Sequence, residues 1–196
     1  MNFLAHLYLS GSGDEDLLIG NFIADSVPGR QLEQYPAGIQ RGIRLHRAID
    51  TFTDQHPVVR QSTLRLREAG YGKYAGVVSD VFFDHFLARN FHEFSEQPLS
   101  KFTADVYRLL AARATEFPAR VQHFLPYMTR QDWLGHYADL EGIRQSLGGL
   151  SRRASAGSGM ETAVRELERN YPAYEADFRA FFPELRAYVA GWQDGR

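Results

Sequence analysis

Apolar positions along the chain recur at helical spacing, and Gly and Pro punctuate them at intervals that suit short to medium helices. No run alternates apolar and polar residues as a half-buried strand requires. Asn2 caps a short first helix that ends at Gly11-Ser12-Gly13, and Asp14 caps a second that runs to Val27-Pro28-Gly29. Pro36 and Gly38 precede a third helix, about Ile39 to Thr53. Pro57 suits the first turn of a fourth, which stops near Gly70-Tyr71-Gly72. A fifth, about Lys73 to Phe91, is apolar nearly all round, the mark of a helix buried on most sides. Leu99 to Phe117 reads as a sixth helix and Arg130 to Leu147 as one more. Gly148-Gly149 and Gly157-Ser158-Gly159 read as loops or a mobile segment, and Pro172 and Pro183 should break or kink the helical C-terminal region. The expected fold class is all-α, a single-domain helical bundle over residues 1–196, without internal repeats or a coiled coil.

Composition narrows the chemistry. The 196 residues, 44% apolar and 13% aromatic, suffice for one sizeable core. The absence of cysteine excludes disulfides, thiolate catalysis and Cys-ligated metals, so any metal must be held by His, Asp, Glu or Asn. The apolar N-terminus, Met1 to Ser10, lacks the basic region and cleavage site of a signal peptide. It is also far shorter than the ~20 residues of a spanning helix. A cytoplasmic protein without membrane insertion is expected. The net charge of −2 points to neither nucleic acid nor a membrane. Of the 22 basic residues only Lys73 and Lys101 are lysine, so nearly all positive charge is guanidinium, suited to bidentate contacts with phosphate and carboxylate. Arg41, Arg44, Arg47, Arg60, Arg65 and Arg67 fall in a stretch where Asp50 and Asp54 are the only acids. It either faces an acidic partner or forms a solvated surface paired with acids elsewhere.

Polar residues four apart share a helix face, and such pairs recur in the first half: Asn2 with His6, Asn21 with Asp25, His46 with Asp50, and Asp80 with Asp84, which His85 follows directly. On a helical wheel His46 and Asp50 fall in the sector of Ile39, Ile43 and Ile49, opposite Arg41, Arg44 and Arg47. Asp84 falls with Val77, Val81 and Ala88, and Asp25 with Leu18 and Phe22. A carboxylate aimed at apolar packing must find a cation, several donors or a metal. Taken together, Asp25, His46, Asp50, Asp84 and His85 favour a shared divalent cation with oxygen and imidazole ligands; manganese, iron or magnesium suits them better than structural zinc. His6, His56, His92, His123 and His136, each taken alone, read as structural or surface residues. No phosphate-binding glycine loop and no Gly-x-Ser-x-Gly elbow is present.

Met1-Asn2-Phe3-Leu4-Ala5-His6-Leu7, Gly20-Asn21-Phe22-Ile23-Ala24-Asp25, Gly42-Ile43-Arg44-Leu45-His46-Arg47-Ala48-Ile49-Asp50 and Asp84-His85-Phe86-Leu87-Ala88-Arg89 resemble, in order, the motifs of the bacterial acyl carrier protein phosphodiesterase family. Trp133-Leu134, Gly149-Leu150-Ser151-Arg152-Arg153 and Phe181-Phe182-Pro183 extend the likeness over essentially the whole chain. The resemblance implies a divergent branch of the metal-dependent HD phosphohydrolases, with an HD-like helical fold and Mn2+, Mg2+ or Fe2+ as cofactor. Its substrate would be holo-acyl carrier protein, from which 4′-phosphopantetheine is removed. The chain departs from the parent pattern in having no His followed by Asp; Asp84-His85 is the reversed order.

The resemblance also implies roles. Asp25, His46, Asp50, Asp84 and His85 would supply metal ligands, Arg47 would offset charge on the phosphate, and His6 or His85 would protonate the departing serine oxygen. Arg41, Arg44, Arg60, Arg65 and Arg67 would steer the acidic carrier protein. The phenylalanines of the fifth helix either line a groove for the pantetheine arm or pack the core, the commoner role. Two other functions compete: an HD-type hydrolase of a nucleotide or another small phosphoester, and a non-enzymatic helical module that clasps an acidic partner.

Overall fold

A computed structural model describes residues 1–154 and 157–194. Its α-helices, numbered along the chain, are α1 (Phe3–Leu9), α2 (Glu15–Ile23), α3 (Ala37–Gln55), α4 (Pro57–Leu66), α5 (Ala75–Arg89), α6 (Leu99–Ala112), α7 (Ala119–Arg130), α8 (Trp133–His136), α9 (Leu140–Arg153), α10 (Val164–Arg169) and α11 (Tyr171–Asp194). No strand occurs among the described residues, so the all-α expectation holds. No helix among them is long and apolar enough to cross a membrane.

The bundle is organised around α5, whose residues are apolar on nearly every side. Val78, Val81, Phe82, Phe83, Phe86 and Leu87 are fully buried, and α1, α4, α9 and α11 pack against the helix from different directions. The long α11 contributes Tyr174, Phe178, Phe181 and Phe182 to the same continuous core. The phenylalanines of α5 therefore fill the interior; Phe91, just beyond it, is buried as well. They line no groove.

Early helix starts follow the expected caps. Asn2 Oδ1 accepts from Phe3 N (2.9 Å), Asp14 Oδ1 accepts from Leu17 N (2.9 Å), and Pro57 opens α4. Later boundaries differ. The segment expected as one helix from Arg130 to Leu147 is broken twice by aspartates. Asp132, in the left-handed region at φ 43°, accepts from Gly135 N and starts α8. Asp139 accepts from Gly142 N (2.8 Å) and starts α9. Gly148-Gly149, expected as a loop, lies inside α9, where the helix is carried by its flanking residues. Residues 155 and 156 of the expected mobile segment lie outside the described residues. Pro172 sits at the second position of α11, where no amide donor is needed, and Pro183 interrupts one backbone hydrogen bond without ending the helix. The helix α7 had no counterpart in the sequence pattern; it starts after Pro118 and carries Pro126 within it.

Candidate metal centre

The most extensive helix pairing joins α2 and α3 and has a local cause in two glycines. A Cβ on Gly20 would stand 2.1 Å from Ile39 O, and one on Gly42 would stand 2.1 Å from Leu17 O. Only hydrogen fits at these positions, so the helices meet backbone to backbone. The close approach brings Asn21, next to Gly20, against His46 of α3.

Asn21 is fully buried and holds two imidazoles. Its Oδ1 lies 2.8 Å from His6 Nδ1 and 3.2 Å from His46 Nδ1, and its backbone O lies 2.9 Å from His46 Nδ1. The amide cannot be reversed, because Nδ2 donates to His6 O and Ser10 Oγ, both at 2.9 Å. The opposite ring edges face carboxylates. His6 Nε2 is 3.1 Å from Asp50 Oδ1, and His46 Nε2 is 3.1 Å from both Asp50 Oδ2 and Asp25 Oδ1. The rings stack with centroids 3.9 Å apart and planes 15° from parallel.

Each ring thus lies between acceptors on both edges. A neutral imidazole carries one N–H, and with that proton on Nδ1 toward Asn21, the Nε2 lone pair points at a carboxylate oxygen. Protonating both rings would stack two cations face to face. Burial, followed by the neighbouring charge of His46, pushes His6 down to about 4, so that ring is neutral. Burial also opposes the charge on His46, but hydrogen bonds to Asp25 and Asp50 outweigh it and push that ring up to about 9. Desolvation opposes the charge on Asp50, but the hydrogen bond from His46 and the nearby Met1 ammonium hold it well below the usual carboxylate range. The His6–Asp50 contact therefore has an acceptor on each side and no proton between them.

A cation resolves that mismatch. Ligand atoms of His6, His46 and Asp50 all lie within 4.8 Å of one another, and each histidine's other nitrogen is fixed by a carbonyl oxygen, as in metal-binding imidazoles generally. Two imidazole nitrogens and a carboxylate oxygen form a donor set that could hold a divalent ion. Asp25, with a side chain 76% exposed, lies on the solvent side of this group with its Oδ1 3.1 Å from His46 Nε2.

The remaining predicted residues lie elsewhere. Asp84 is fully buried with its oxygens engaged by α1, accepting from Leu4 N (2.7 Å), Ala5 N (3.2 Å) and Asn2 N (3.3 Å). It pins the start of α1 to α5 and so aims His6 at α3. Burial raises its carboxyl to about 7, against the pull of the amino terminus and these amides. Val77, placed with Asp84 by the helical wheel, is instead 39% exposed. His85 is also turned away from the cluster: Nδ1 meets Tyr137 O (2.8 Å) and Nε2 meets Tyr171 Oη (2.9 Å). Arg47 is exposed and donates to Val27 O. Among the candidate docking arginines, Arg41 pairs with Asp14 and Arg65 with Asp177, whereas Arg44, Arg60 and Arg67 are exposed.

Sequence reasoning gave Asn21 no role, and it read His6 as a core residue when taken alone and, through the family resemblance, as a candidate proton donor, but not as a metal ligand. It had the spacing of Asn21 and Asp25 in hand, but the amide had no assigned chemistry until its two imidazole partners were located. The Met1 ammonium adds a charge beside the cluster, 2.9 Å from Asp80 Oδ1 and 3.9 Å from Asp50 Oδ1. A cavity of about 390 Å³, bounded by Met1, Asp25 and Asp80, opens beside it.

The family model described as acyl carrier protein phosphodiesterase matches residues 1–185. A protein of that name from Photorhabdus laumondii subsp. laumondii is 35% identical over 186 residues, 94% of this chain and 93% of its own length. Another from Salmonella dublin is 34% identical over 191 residues, 97% of this chain and 98% of its own. No solved structure matches the chain.

Proposed function

The chain belongs to the acyl carrier protein phosphodiesterase family, and on that premise we propose that it hydrolyses the phosphodiester joining 4′-phosphopantetheine to the serine of holo-acyl carrier protein. The products are apo-carrier with its serine hydroxyl restored and free 4′-phosphopantetheine. The observation that carries a hydrolytic metal site is the placement of His6 and His46 between Asn21 on one edge and carboxylates on the other.

In this reading His6, His46 and Asp50 hold a divalent ion, Mn2+ first and Mg2+ or Fe2+ as alternatives, with Asp25 completing the set from the solvent side. The bound ion supplies Lewis acidity and lowers the pKa of water next to phosphorus. Asn21 keeps both rings in the Nδ1–H form, so their Nε2 lone pairs stay turned to the site. Asp25, the most exposed of the group, is placed to accept a proton from attacking water. Asp84 and His85, engaged by α1 and by the two tyrosines, act as positioning residues. The catalytic unit is the whole chain, and it works in the cytoplasm on its carrier protein. The carrier docks on the exposed arginines of α3 and α4, Arg44, Arg60 and Arg67, around Leu64, which is 54% exposed. Arg60, Leu64 and Arg67 share a surface groove with Asp54, one helical turn beyond Asp50.

The test is direct. Holo-carrier is incubated with the purified chain and manganese, then weighed by mass spectrometry. Loss of the phosphopantetheine mass by wild type and its retention with His46→Ala or Asp50→Ala are expected. No loss with manganese demonstrably bound to wild type would overturn the reading.

A further inference from the structure

Beside the candidate metal cluster, a group of exposed arginines lines a cavity wall. The 390 Å³ cavity beside the cluster is also lined by Arg120 of α7, Trp133 of α8 and Arg153 of α9. A second cavity of about 480 Å³ lies beyond it, and the two share Asn2, Phe3, Trp133, Leu150 and Arg153. Together they form one path leading away from Asp25 and Asp80, each part within the size range of small-molecule sites.

The charge along this path is unbalanced. Arg41, Arg65, Arg113, Arg144 and Arg179 each have a carboxylate partner. Among the described residues, Arg120, Arg152 and Arg153 have none within 4.0 Å. The Arg153 guanidinium is held below its ordinary value by desolvation first, then by repulsion from Arg120 and Arg152. Guanidinium groups gathered without counter-charge at a cavity wall are arranged for an anion from outside, and their planar fork suits phosphate. Beyond them the walls become mixed. Trp133 lies parallel to Phe124 at 6.2 Å, with Phe3 and Leu150 nearby, while Gln145 and Ser146 supply donors and acceptors in the second cavity. Apolar surface interrupted by amide and hydroxyl groups suits an extended chain that itself carries amides.

We propose that the two cavities form one site for a phosphate ester bearing an extended amide chain, with Arg120 and Arg153 holding the phosphate and the second cavity holding the chain. The proposal rests on the hydrolytic reading above and adds its direction: the pantetheine arm runs from the metal cluster past Arg153 between α8 and α9, while the carrier stays on the α3–α4 side. Arg120 and Arg153 are positioning residues, and of the residues assigned to the metal only Asp25 also lines the cavity.

Trp133 lines both cavities and reports their occupancy. Its fluorescence in the full chain with manganese added is followed on titration with 4′-phosphopantetheine, pantetheine and inorganic phosphate, with Trp133→Phe as the signal control. Saturable quenching by 4′-phosphopantetheine is expected, about tenfold weaker binding of pantetheine, and weaker binding still of inorganic phosphate. The double variant Arg120→Gln with Arg153→Gln should weaken 4′-phosphopantetheine about tenfold or more and leave pantetheine within about twofold. It should also raise KM for holo-carrier more than it lowers kcat, with Arg153→Lys recovering part of the loss. Equal affinity for the phosphorylated and unphosphorylated arm, or a folded double variant with unchanged Kd and KM, would overturn the proposal. Should the double variant unfold, Arg120→Gln alone decides by the same criteria, since Arg120 is exposed. The outcomes separate the two claims. Wild type that binds the product through these arginines but never cleaves holo-carrier fails the hydrolytic reading alone, whereas cleavage indifferent to both arginines fails this site alone.

Discussion

Replacing Asn21 by leucine keeps the shape of the side chain and removes its hydrogen bonding, which isolates the role assigned to that amide. The structure makes the loss asymmetric. His46 Nδ1 keeps the Asn21 backbone O at 2.9 Å, but His6 Nδ1 loses its Asn21 Oδ1 partner at 2.8 Å. His6 O and Ser10 Oγ retain their bond to each other at 2.8 Å, so the main cost is one buried imidazole N–H left unsatisfied. That amounts to about 1–3 kcal/mol. A chain of this length loses roughly 2–4 °C of Tm per kcal/mol, so the chelated variant should melt about 2–12 °C below wild type. Release of His6 also frees its tautomer, and removing such a partner typically costs about 10–100-fold in metal affinity. Manganese titration by calorimetry reads the second effect and thermal unfolding in chelator the first. Asn21→Asp restores an acceptor and should recover most of the metal affinity, although it loses the donation to His6 O and Ser10 Oγ. A folded Asn21→Leu protein that binds manganese as tightly as wild type would refute the placement of His6 among the ligands.

Two further predictions concern charge. His46 has its pKa raised to about 9 in the metal-free fold, against 6.5 for a free ring, so the native state binds more protons than the unfolded chain between those values. That stabilisation is complete below about pH 6.5 and is lost as pH rises through about 9, to the extent of at most about 3 kcal/mol. Asp84, pushed up to about 7, destabilises with the same sign but between 3.8 and about 7, so measurements above pH 7 report His46 together with the Met1 ammonium, which is raised from 8.0 and acts in the same direction. Tm in chelator should fall from pH 7 to 9 and stay nearly level with manganese bound to Nε2; a level profile in chelator would contradict the assigned contacts. Separately, Arg60→Glu with Arg67→Glu should raise KM for holo-carrier several-fold at low salt, less at high salt, with manganese binding unchanged. An unchanged KM at low ionic strength would move the docking face elsewhere.

Helix content and the early helix starts were legible because their signals are local. Asn2, Asp14 and Pro57 act within one turn of themselves, and the all-round apolar character of α5 implies its central position without knowledge of its neighbours. The divisions after Arg130 were not legible for the opposite reason. Aspartates recur throughout the chain, and nothing within the sequence distinguishes Asp132 and Asp139, which cap helices, from those that do not. Gly148-Gly149 inside α9 shows the same limit: glycine lowers helix propensity by about 1 kcal/mol, which tertiary packing overrides.

The site divides along the same line. The spacing that paired His46 with Asp50 lies within one helix, and the structure keeps those two side chains in contact. Asp84 obeyed the rule that a buried carboxylate needs compensation, but the amides of Asn2, Leu4 and Ala5 can supply it as well as a metal can, and a helical wheel cannot tell donors on another segment from an ion. His6 is the converse. On its own helix it is one polar residue on a short apolar face, and its chemistry exists only because Gly20 and Gly42 let two backbones approach closely enough for Asn21 to reach it and His46 together. Those glycines stood in the motifs from the outset, at positions where a helix gains nothing from them. A glycine in a helix interior beside a polar residue, repeated in two helices, is therefore a signal in its own right: the conformational cost is repaid by close contact, and the side chain next to it is delivered to the neighbouring helix.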